Sequence, residues 1–386
     1  MQGMTRRKFM QSSAAATLAA SASLASAGMG NKEELLLVGT QTTGASKGIY
    51  AYSFDEATGE LKQTALAATI ENPTFLALAP GGKRLFSVSE ASDFAGTSGG
   101  GITGFNLDRS TGHLTEINAE PTGGPGTCHI AVDHTGHCAF VANYNGGSAA
   151  SFHISDDGHL SKAVSFFQYE GHGPNKTRQE KAHAHRVTLS PDNRFLLIND
   201  LGLDKIHIYK LDAKTAKLTP NDPPAWNSAP GAGPRALRFH PNGKWAYCVT
   251  EMTSTVVVFH WNAEAGTLEA IQTIELNPEG FKGETGGCEI IFDSKGRFAY
   301  VANRINDFMA SFTISETDGK VTLMERTSCG GKIPRHIALS PNDRWLLVAN
   351  QESNNISVFA RDTKTGKLAD SGKSFELAAP QCLVFA

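Results

Sequence analysis

Several features that would place this sequence in a common protein class are missing. It has no run of eighteen apolar residues, so it holds no conventional membrane-spanning helix. Its 35 basic and 38 acidic side chains give a formal charge of −3, without the basic excess that attracts nucleic acid or an anionic membrane. It also lacks a P-loop. Its 39 glycines and 16 prolines are typical of a turn-rich globular protein, and we expect its partner to be a small molecule.

Redox and metal-binding motifs are also scarce. No two of the six cysteines form a C-x-x-C motif, and most of them fall within predicted strands. We therefore predict buried free thiols at Cys128, Cys138, Cys248, Cys288, Cys329 and Cys382. The tripeptide H-A-H, which contains His183 and His185, has neither a cysteine nor an H-E-x-x-H context. We expect no metal and no cofactor.

The N-terminus predicts export from the cytoplasm. Residues 5–9 read T-R-R-K-F, an Ala/Ser-rich segment follows, and A-S-A at 25–27 is a small-residue cleavage pattern. This arrangement resembles a twin-arginine signal, although an ordinary secretory signal or a basic tail would share some of its features. We predict a periplasmic or cell-surface monomer, free of the membrane after cleavage, with a signal peptide at 1–27, a linker at 28–34 and one domain at 35–386.

A unit of about fifty residues repeats along the chain. In each unit an aromatic residue ends a short alternating strand, at Phe54, Phe105, Phe152, Tyr209, Phe259, Phe312 and Phe359. Seven to nine residues later an apolar residue begins the next strand, at Leu61, Leu114, Leu160, Leu218, Leu268, Val321 and Leu368. The aromatic residues lie 47 to 57 positions apart, which leaves room for four short strands and their turns. Seven such units predict an all-β fold, a seven-bladed β-propeller with four-stranded blades.

A hairpin with a tight turn precedes most of these strands. Residues 234–251 give one example, with H-P-N-G as the turn, and the other turns lie near Gly82, Gly136, Asn193, Gly296 and Asp343. The last strand, 380–385, resembles the strand that begins at 334, whereas the first unit opens directly with its second strand at 35–38. We therefore predict that the C-terminal strand joins the first blade and closes the ring, which removes two free sheet edges.

Polar side chains gather at the open ends of these hairpins. Arg235 and Glu251 stand at the two ends of one hairpin, so strand pairing brings a guanidinium beside a carboxylate. At the equivalent positions, the other hairpins carry a different polar residue in nearly every blade, among them Asn143 and Arg335. A position needed only for packing would keep one apolar residue type, so this variety favours a ligand site at the mouth of the central channel.

The longest connections fall at the same end of the predicted propeller. They span 90–101, 169–184 and 276–287, and they are predicted to form rims or lids. The middle loop is rich in histidine and basic residues, which suits an anionic or polyhydroxylated substrate. A solvated loop is an equally good interpretation for Lys176, Arg178, Gln179 or Lys181 taken singly.

Together these segments resemble the seven-bladed β-propeller lactonases, which include bacterial 6-phosphogluconolactonase and carboxymuconate-cyclising enzymes. The resemblance extends from about residue 35 to the end. It rests on these motifs: V-G-T-Q-T (38–42), N-P-T-F-L-A-L-A-P-G-G-K (72–83), C-H-I-A-V-D (128–133), V-A-N-Y-N-G-G-S (141–148), H-A-H (183–185), D-L-G-L-D (200–204), G-P-R (233–235), V-A-N-R (301–304), P-R-H (334–336) and V-A-N-Q (348–351).

The resemblance implies two sets of site residues. It implies a catalytic cluster of His185, Arg235, Glu251 and Arg304. It implies a substrate pocket lined by His129, Tyr144, His183, Asp200, Glu289 and His336, to which the hairpin positions add Asn143 and Arg335. The implied activity is hydrolysis of a sugar lactone or sugar phospholactone.

Opening a lactone requires attack by water, stabilisation of an oxyanion and protonation of the leaving ring oxygen. Arg235 and Arg304 are candidates for the oxyanion, because guanidinium groups carry a permanent charge and a fixed fork of donors. Glu251 or His185 could be the base, with the other residue donating a proton, because histidine titrates near neutrality and a carboxylate in a partly dry channel can have a raised pKa. The Arg235 and Glu251 pair alone could equally be a salt bridge that ties two strands.

Two other functions remain open from the sequence. A related enzyme of this type would cyclise an unsaturated dicarboxylate. A surface propeller without catalytic activity would use the same mouth to bind a ligand or a protein.

Overall fold

The computed structural model describes residues 33–386, and these residues form strands, turns and loops with no α-helix. The first strand begins at Glu33, two residues before the predicted start of the domain. The predicted signal peptide and most of the predicted linker lie outside the described residues. No helix with the length and apolar character needed to cross a bilayer occurs in this part of the chain.

Seven four-stranded sheets form the blades, and the strands of each blade follow in order from the channel outward. Blade 1 contains β30 (Pro380–Phe385), β1 (Glu33–Thr40), β2 (Gly48–Asp55) and β3 (Glu60–Thr69). Blade 2 contains β4 (Leu76–Leu78), β5 (Arg84–Ser89), β8 (Gly101–Leu107) and β9 (Leu114–Pro121). A two-stranded hairpin, β6 (Asp93–Phe94) with β7 (Thr97–Ser98), projects from blade 2. Blade 3 contains β10 (Thr127–Val132), β11 (Cys138–Asn143), β12 (Ser148–Ile154) and β13 (Leu160–Gln168).

The remaining four blades follow the same order without interruption. Blade 4 contains β14 (Ala184–Leu189), β15 (Phe195–Asp200), β16 (Lys205–Asp212) and β17 (Lys217–Asn227). Blade 5 contains β18 (Pro234–Phe239), β19 (Trp245–Thr250), β20 (Thr255–Asn262) and β21 (Thr267–Glu275). Blade 6 contains β22 (Gly287–Phe292), β23 (Phe298–Asn303), β24 (Phe308–Ile314) and β25 (Val321–Ser328). Blade 7 contains β26 (Pro334–Leu339), β27 (Trp345–Asn350), β28 (Asn355–Arg361) and β29 (Leu368–Glu376).

The tight turns of the inner hairpins have the geometry that their sequences predict. The backbone is left-handed, with φ between 60° and 79°, at all six predicted turn positions: Gly82, Gly136, Asn193, Gly243, Gly296 and Asp343. Glycine adopts this conformation without steric cost, and asparagine and aspartate tolerate it better than other residues. The turn residues therefore fix where each inner strand reverses.

The core lies between neighbouring blades. Each of seven buried clusters joins two adjacent blades, and the ring of interfaces is complete. The seven repeated aromatic residues all lie in the third strand from the channel and are at most 5% exposed. Since neighbouring blades pack through these side chains, the aromatic residues that recur in the sequence are the ones that recur in the core. All six cysteines are free and buried, which confirms the prediction for them.

The C-terminal strand closes the ring as predicted. β30 pairs antiparallel with β1, and Leu37 lies opposite Val384. Blade 1 is therefore built from both ends of the described chain, and it packs on blade 7 through Leu36, Val38, Leu383 and their neighbours.

A shared irregularity of the innermost strands decides which residues reach the channel. One extra residue is inserted near the start of β10, β14, β18, β22 and β26, where the pairing register shifts. A β-bulge of this kind interrupts the alternation of side chains. Consecutive residues such as His185 and Arg186, or Arg235 and Ala236, therefore both reach the channel, and they meet at a narrow part of it.

Candidate active site

The site is centred on a buried carboxylate that faces three guanidinium groups. Glu251, which follows β19, is 1% exposed. Its Oε2 lies 3.0 Å from Nε of Arg235, and its Oε1 accepts a hydrogen bond of 2.8 Å from Nη2 of Arg304. Arg178 also donates through Nη2 to Oε1. The sequence prediction that Arg235 meets Glu251 at the open end of the hairpin is confirmed.

These cations set the charge of Glu251. Burial by itself would raise the pKa of the carboxyl, but Arg304, Arg235 and Arg178 outweigh burial and lower the pKa from 4.5 to about 2. The raised pKa that a partly dry channel can produce does not occur at Glu251, and the sequence does not show how many arginines converge on the carboxylate. Glu251 is therefore ionised at neutral pH and holds the guanidinium groups in place.

Each of the three arginines comes from a different part of the fold. Arg235 occupies the bulge of β18, where its Nη1 also donates to the carbonyl of Cys288 at 2.5 Å. Arg304 directly follows β23. Arg178 extends from the 169–184 loop, which is anchored because the buried amide of Gln179 donates to the carbonyl of Leu201 at 2.9 Å. The loop predicted as a rim or lid thus reaches the site.

We call the space above this carboxylate the upper chamber. Its volume is about 250 Å³, and it is lined by Glu90, Cys128, Tyr144, Asn145, Arg178, His185, Glu251, Arg304 and Arg335. It contains three of the four residues predicted as catalytic, and the fourth, Arg235, lies directly below and contacts Glu251. Of the predicted substrate contacts, Tyr144 and Arg335 line it.

His185 stands beside the arginines without carrying a charge. Burial, followed by Arg235, Arg335 and Arg304, lowers its pKa well below 6.5. The ring of Tyr144 contacts it edge-on, with 5.4 Å between ring centroids. At neutral pH His185 therefore presents a neutral imidazole with one nitrogen free of a proton, which is the form that can accept a proton from water.

Arg335 adds a positive charge to the upper chamber without forming an ion pair in the described part of the chain. Its Nε donates to Oε1 of Gln381 at 3.0 Å, and no carboxylate of residues 33–386 forms an ion pair with it. Arg178, Arg235, Arg304 and Arg335 carry four positive charges, against the carboxylates of Glu251 and Glu90. The difference of two positive charges makes the upper chamber attractive to an anion.

Three predicted pocket residues lie deeper in the channel. His129, Glu289 and His336 occupy the next level below the upper chamber, and Glu289 pairs there with Arg186 and Arg238. A neck of about 20 Å³, enough for roughly one water molecule, joins the two levels. The structure therefore splits the predicted pocket into two parts, because the bulges place successive residues at successive depths.

The other predicted contacts support the site from behind and do not line the upper chamber. The amide oxygen of Asn143 accepts a hydrogen bond from the hydroxyl of Thr127 at 2.7 Å, and its amide nitrogen donates to the hydroxyl of Ser148 at 3.0 Å. His183 lies between Glu180 and the carbonyl of Tyr144, at 3.1 and 3.0 Å, and stacks on the Tyr144 ring. Asn143 therefore holds neighbouring hydroxyl groups in place, and His183 holds the backbone and the ring of Tyr144.

Asp200 also supports the backbone behind the site and does not line the upper chamber. Its Oδ1 accepts from the backbone N–H groups of His183 and Leu203, at 2.9 and 3.0 Å, and its side chain is fully buried. The residue fixes the start of β14 and so the backbone next to His185. It has no surface toward the upper chamber.

Sequence reasoning missed two residues that line the upper chamber, Arg178 and Glu90, and two that line the channel below it, Arg186 and Arg238. Arg178 shares a loop with Lys176 and Lys181, and only the fold shows that Lys176 is exposed while Arg178 points inward. A usable signal existed for Arg186 and Glu90, since both stand at the hairpin ends from which other site residues were chosen. Arg238 lies within an alternating strand and gave no signal.

No group of three or more His, Cys, Asp and Glu side chains suited to a metal ion occurs among residues 33–386. The buried carboxylates of the channel, Glu251 and Glu289, each form ion pairs with arginines.

Comparison with known proteins gives a consistent result. The family model described as lactonase, 7-bladed beta-propeller, matches residues 35–385. The 6-phosphogluconolactonase of Bacillus subtilis is 35% identical over 348 residues, which cover 90% of this chain and 97% of that protein. A 6-phosphogluconolactonase of Formosa agariphila is 33% identical over 326 residues, 83% of this chain and 90% of the relative. The solved structure of a periplasmic gluconolactonase of Pseudomonas aeruginosa has a TM-score of 0.87 and 35% identity, and it covers 92% of this chain and 99% of its own.

Proposed function

Since the chain belongs to the seven-bladed β-propeller lactonase family, we propose that it hydrolyses a sugar lactone that carries an anionic group such as a 6-phosphate. The observation that carries this proposal is the upper chamber, where a neutral imidazole faces the same space as Arg335, a guanidinium that forms no ion pair among residues 33–386. The relatives named 6-phosphogluconolactonase support the substrate class.

In the proposed mechanism the arginines bind the substrate and the developing charge. The anionic group of the lactone pairs with Arg335, which forms no ion pair with a carboxylate of the described residues. Arg304, at the chamber wall, donates to the carbonyl oxygen and stabilises the oxyanion that forms when the carbon becomes tetrahedral. Arg235 supports this charge from below.

His185 is assigned as the base. Its neutral ring takes a proton from the attacking water while the water oxygen bonds to the carbonyl carbon. The tetrahedral intermediate then expels the ring oxygen, and the imidazolium returns its proton to that oxygen, which gives the open hydroxy acid. An anionic substrate in the chamber offsets part of the positive field of the arginines, so binding raises the proton affinity of His185 when it is needed.

Glu251 is a poor base by comparison. Three guanidinium groups hold its carboxylate, and its pKa of about 2 makes proton uptake unfavourable. We assign it the role of positioning Arg178, Arg235 and Arg304.

The proposal is tested by measuring hydrolysis of δ-gluconolactone and of its 6-phosphate by pH-stat, with EDTA present. We expect turnover above the spontaneous rate and a preference for the phosphate. Replacing Arg335 by methionine should raise KM for the phosphorylated lactone about ten- to a hundredfold and change KM for the neutral lactone little, because one charge-assisted contact is lost. The exposed Arg344 replaced by methionine is the matched control.

The possible results separate the candidate functions. An equal loss on both lactones in Arg335→Met would remove the phosphate assignment and leave a neutral sugar lactone as the substrate. No turnover on either lactone would contradict the hydrolase and favour a cyclase or a binding propeller.

We also propose export by the twin-arginine route. The P. aeruginosa protein of similar structure is described as periplasmic, and residues 5–9 carry the paired arginines. Replacing Arg6 and Arg7 together by lysine should leave the protein in the cytoplasmic fraction, while the single change Lys8→Arg should not. A double variant that still reaches the periplasm would indicate an ordinary secretory route.

A further inference from the structure

We propose that the lower end of the channel is a second binding site, separate from the upper chamber, for a small carboxylate monoanion. This space, which we call the lower chamber, has a volume of about 650 Å³ and opens at the face opposite the proposed active site. Its deep end is formed by Arg186, Arg238, His129 and His336, with Glu289 between them at the neck.

Glu289 fixes the two arginines and leaves them with donors to spare. It is 2% exposed, and its oxygens accept from Nη1 of Arg186 at 2.6 Å and from Nη2 of Arg238 at 3.3 Å. Burial would raise its pKa, but Arg186, Arg238 and His336 outweigh burial and hold the pKa well below its usual range. Two guanidinium groups and one carboxylate leave one positive charge at this level.

The two histidines of the lower chamber, His129 and His336, are neutral, and a backbone N–H fixes the orientation of each ring. The backbone N–H of Val187 donates to Nδ1 of His129 at 3.4 Å, and that of Leu383 donates to Nδ1 of His336 at 3.3 Å. In a neutral ring the proton then lies on Nε2. Burial is the largest cause that lowers the pKa of both rings, for His336 to about 4.

Two of these donors lack an acceptor. Within residues 33–386, Nε2 of His129 and Nε of Arg238 are buried without a hydrogen-bond partner. Leaving a buried N–H without an acceptor is costly, so most buried N–H groups in folded proteins have a partner, and such a donor calls for one. The ion pair between Arg186 and Glu289 braces blade 4 against blade 6, but this bracing does not account for the unused donors of Arg238 and His129.

The charge and shape of the chamber select the ligand. The one excess positive charge at the deep end of the chamber is neutralised by a monoanion, whereas a dianion would leave negative charge beside Glu289. A planar carboxylate matches the fork of donors on a guanidinium group. Small apolar side chains, Ala77, Ala131, Ala338 and Val384, line the chamber next to the charged end and leave room for a short aliphatic body.

The route of entry also separates the two sites. The neck admits roughly one water molecule, so a carboxylate reaches the lower chamber only from its own mouth. Asp343, the acidic residue at that rim, is held by the backbone and hydroxyl of Ser294, at 2.9 and 2.5 Å. Because the neck keeps the two chambers apart, binding in the lower chamber is independent of the lactone in the upper chamber.

The test uses butyrate as the probe on the full chain, with butyramide and sulfate as controls. We expect butyrate to shift the NMR signals of the Ala77, Ala131 and Ala338 methyl groups in a saturable manner and to leave that of the buried Ala310 unchanged. Arg238→Gln should weaken butyrate binding at least about tenfold through loss of a charge-assisted contact. Arg178→Gln, in the upper chamber, should not change it.

A second variant keeps the test decisive if Arg238→Gln does not fold. Ala338→Leu retains every charged group and fills part of the chamber, so it should also weaken butyrate binding. The proposal is overturned if butyrate does not bind, if butyramide or sulfate binds as well as butyrate, or if Arg178→Gln abolishes binding while Arg238→Gln and Ala338→Leu do not. Hydrolysis of the lactone is measured in parallel and is expected to be unchanged in both lower-chamber variants, so the two proposals fail independently.

Discussion

Replacing His185 by glutamine is expected to lower kcat for lactone hydrolysis by about 10²–10⁴-fold, the range that a positioned base contributes. Glutamine retains a polar side chain of similar reach but cannot take up a proton from water. The binding groups Arg304 and Arg335 stay in place, so KM should change by less than about threefold if the residue acts only in the chemical step.

The pH dependence distinguishes this role from a structural one. Because burial and the neighbouring arginines lower the pKa of His185, the wild-type value of kcat/KM should hold to well below pH 6.5 before it falls. This acid limb should be absent from the residual activity of His185→Gln. The exposed His260 replaced by glutamine is the control. A variant that loses activity but keeps the acid limb would mean that another group is the base.

Replacing Glu251 by glutamine is expected to damage both activity and stability. Three guanidinium groups would lose their shared carboxylate, and removal of one partner from a buried ion pair commonly costs about 3–5 kcal/mol. With Arg178, Arg235 and Arg304 no longer held in position, kcat/KM should fall by about 10²–10³-fold, comparable with loss of an oxyanion contact.

The stability effect has a defined dependence on pH. The pKa of Glu251 is lowered from 4.5 in the unfolded chain to about 2 in the fold, which corresponds to roughly 3 kcal/mol. A lowered carboxyl pKa contributes stability above the unfolded value, and this contribution is lost as the pH falls from about 4.5 toward 2. The free energy of unfolding, measured by urea denaturation at pH 7 and pH 3, should therefore differ less between wild type and variant at pH 3.

The exposed Glu269 replaced by glutamine provides the matched control for this series. It removes a carboxylate from the same blade without touching the site, and it should change neither kcat/KM nor the pH dependence. A Glu251→Gln protein with normal activity would contradict the positioning role. If the free energy of unfolding of Glu251→Gln changed between pH 7 and pH 3 by as much as that of the wild type, the assigned pKa would be contradicted.

Much of the fold was accessible from the sequence because it rests on local patterns. The third-strand aromatic residues, such as Phe54 and Phe312, recur at blade spacing because each blade buries the same face against its neighbour. Turn residues such as Gly243 and Asn193 reveal the inner hairpins, since few residues accept their backbone conformation. The missing first strand and the extra last strand together predict the closure of blade 1. The pairing of Arg235 with Glu251 follows from the hairpin alone.

The division and the charge of the site, in contrast, emerge only from the assembled blades. Strand alternation cannot show the bulges that place His185 in the upper chamber and Arg186 in the lower one. The approach of Arg178 to Glu251 joins residues 73 positions apart, and no local pattern of its loop records that contact. The pKa of Glu251 depends on the sum of such contacts, because electrostatic interactions act through space between blades.

Local patterns in the chain were thus sufficient for the repeat, the closed ring and most of the polar residues at its mouth, since each depends on neighbours within one hairpin or one blade. The depth of those residues, their charge states and the separate lower chamber depend on contacts between blades. These properties arise when seven blades are brought around one channel, where charges distant in sequence come within a few ångströms of one another.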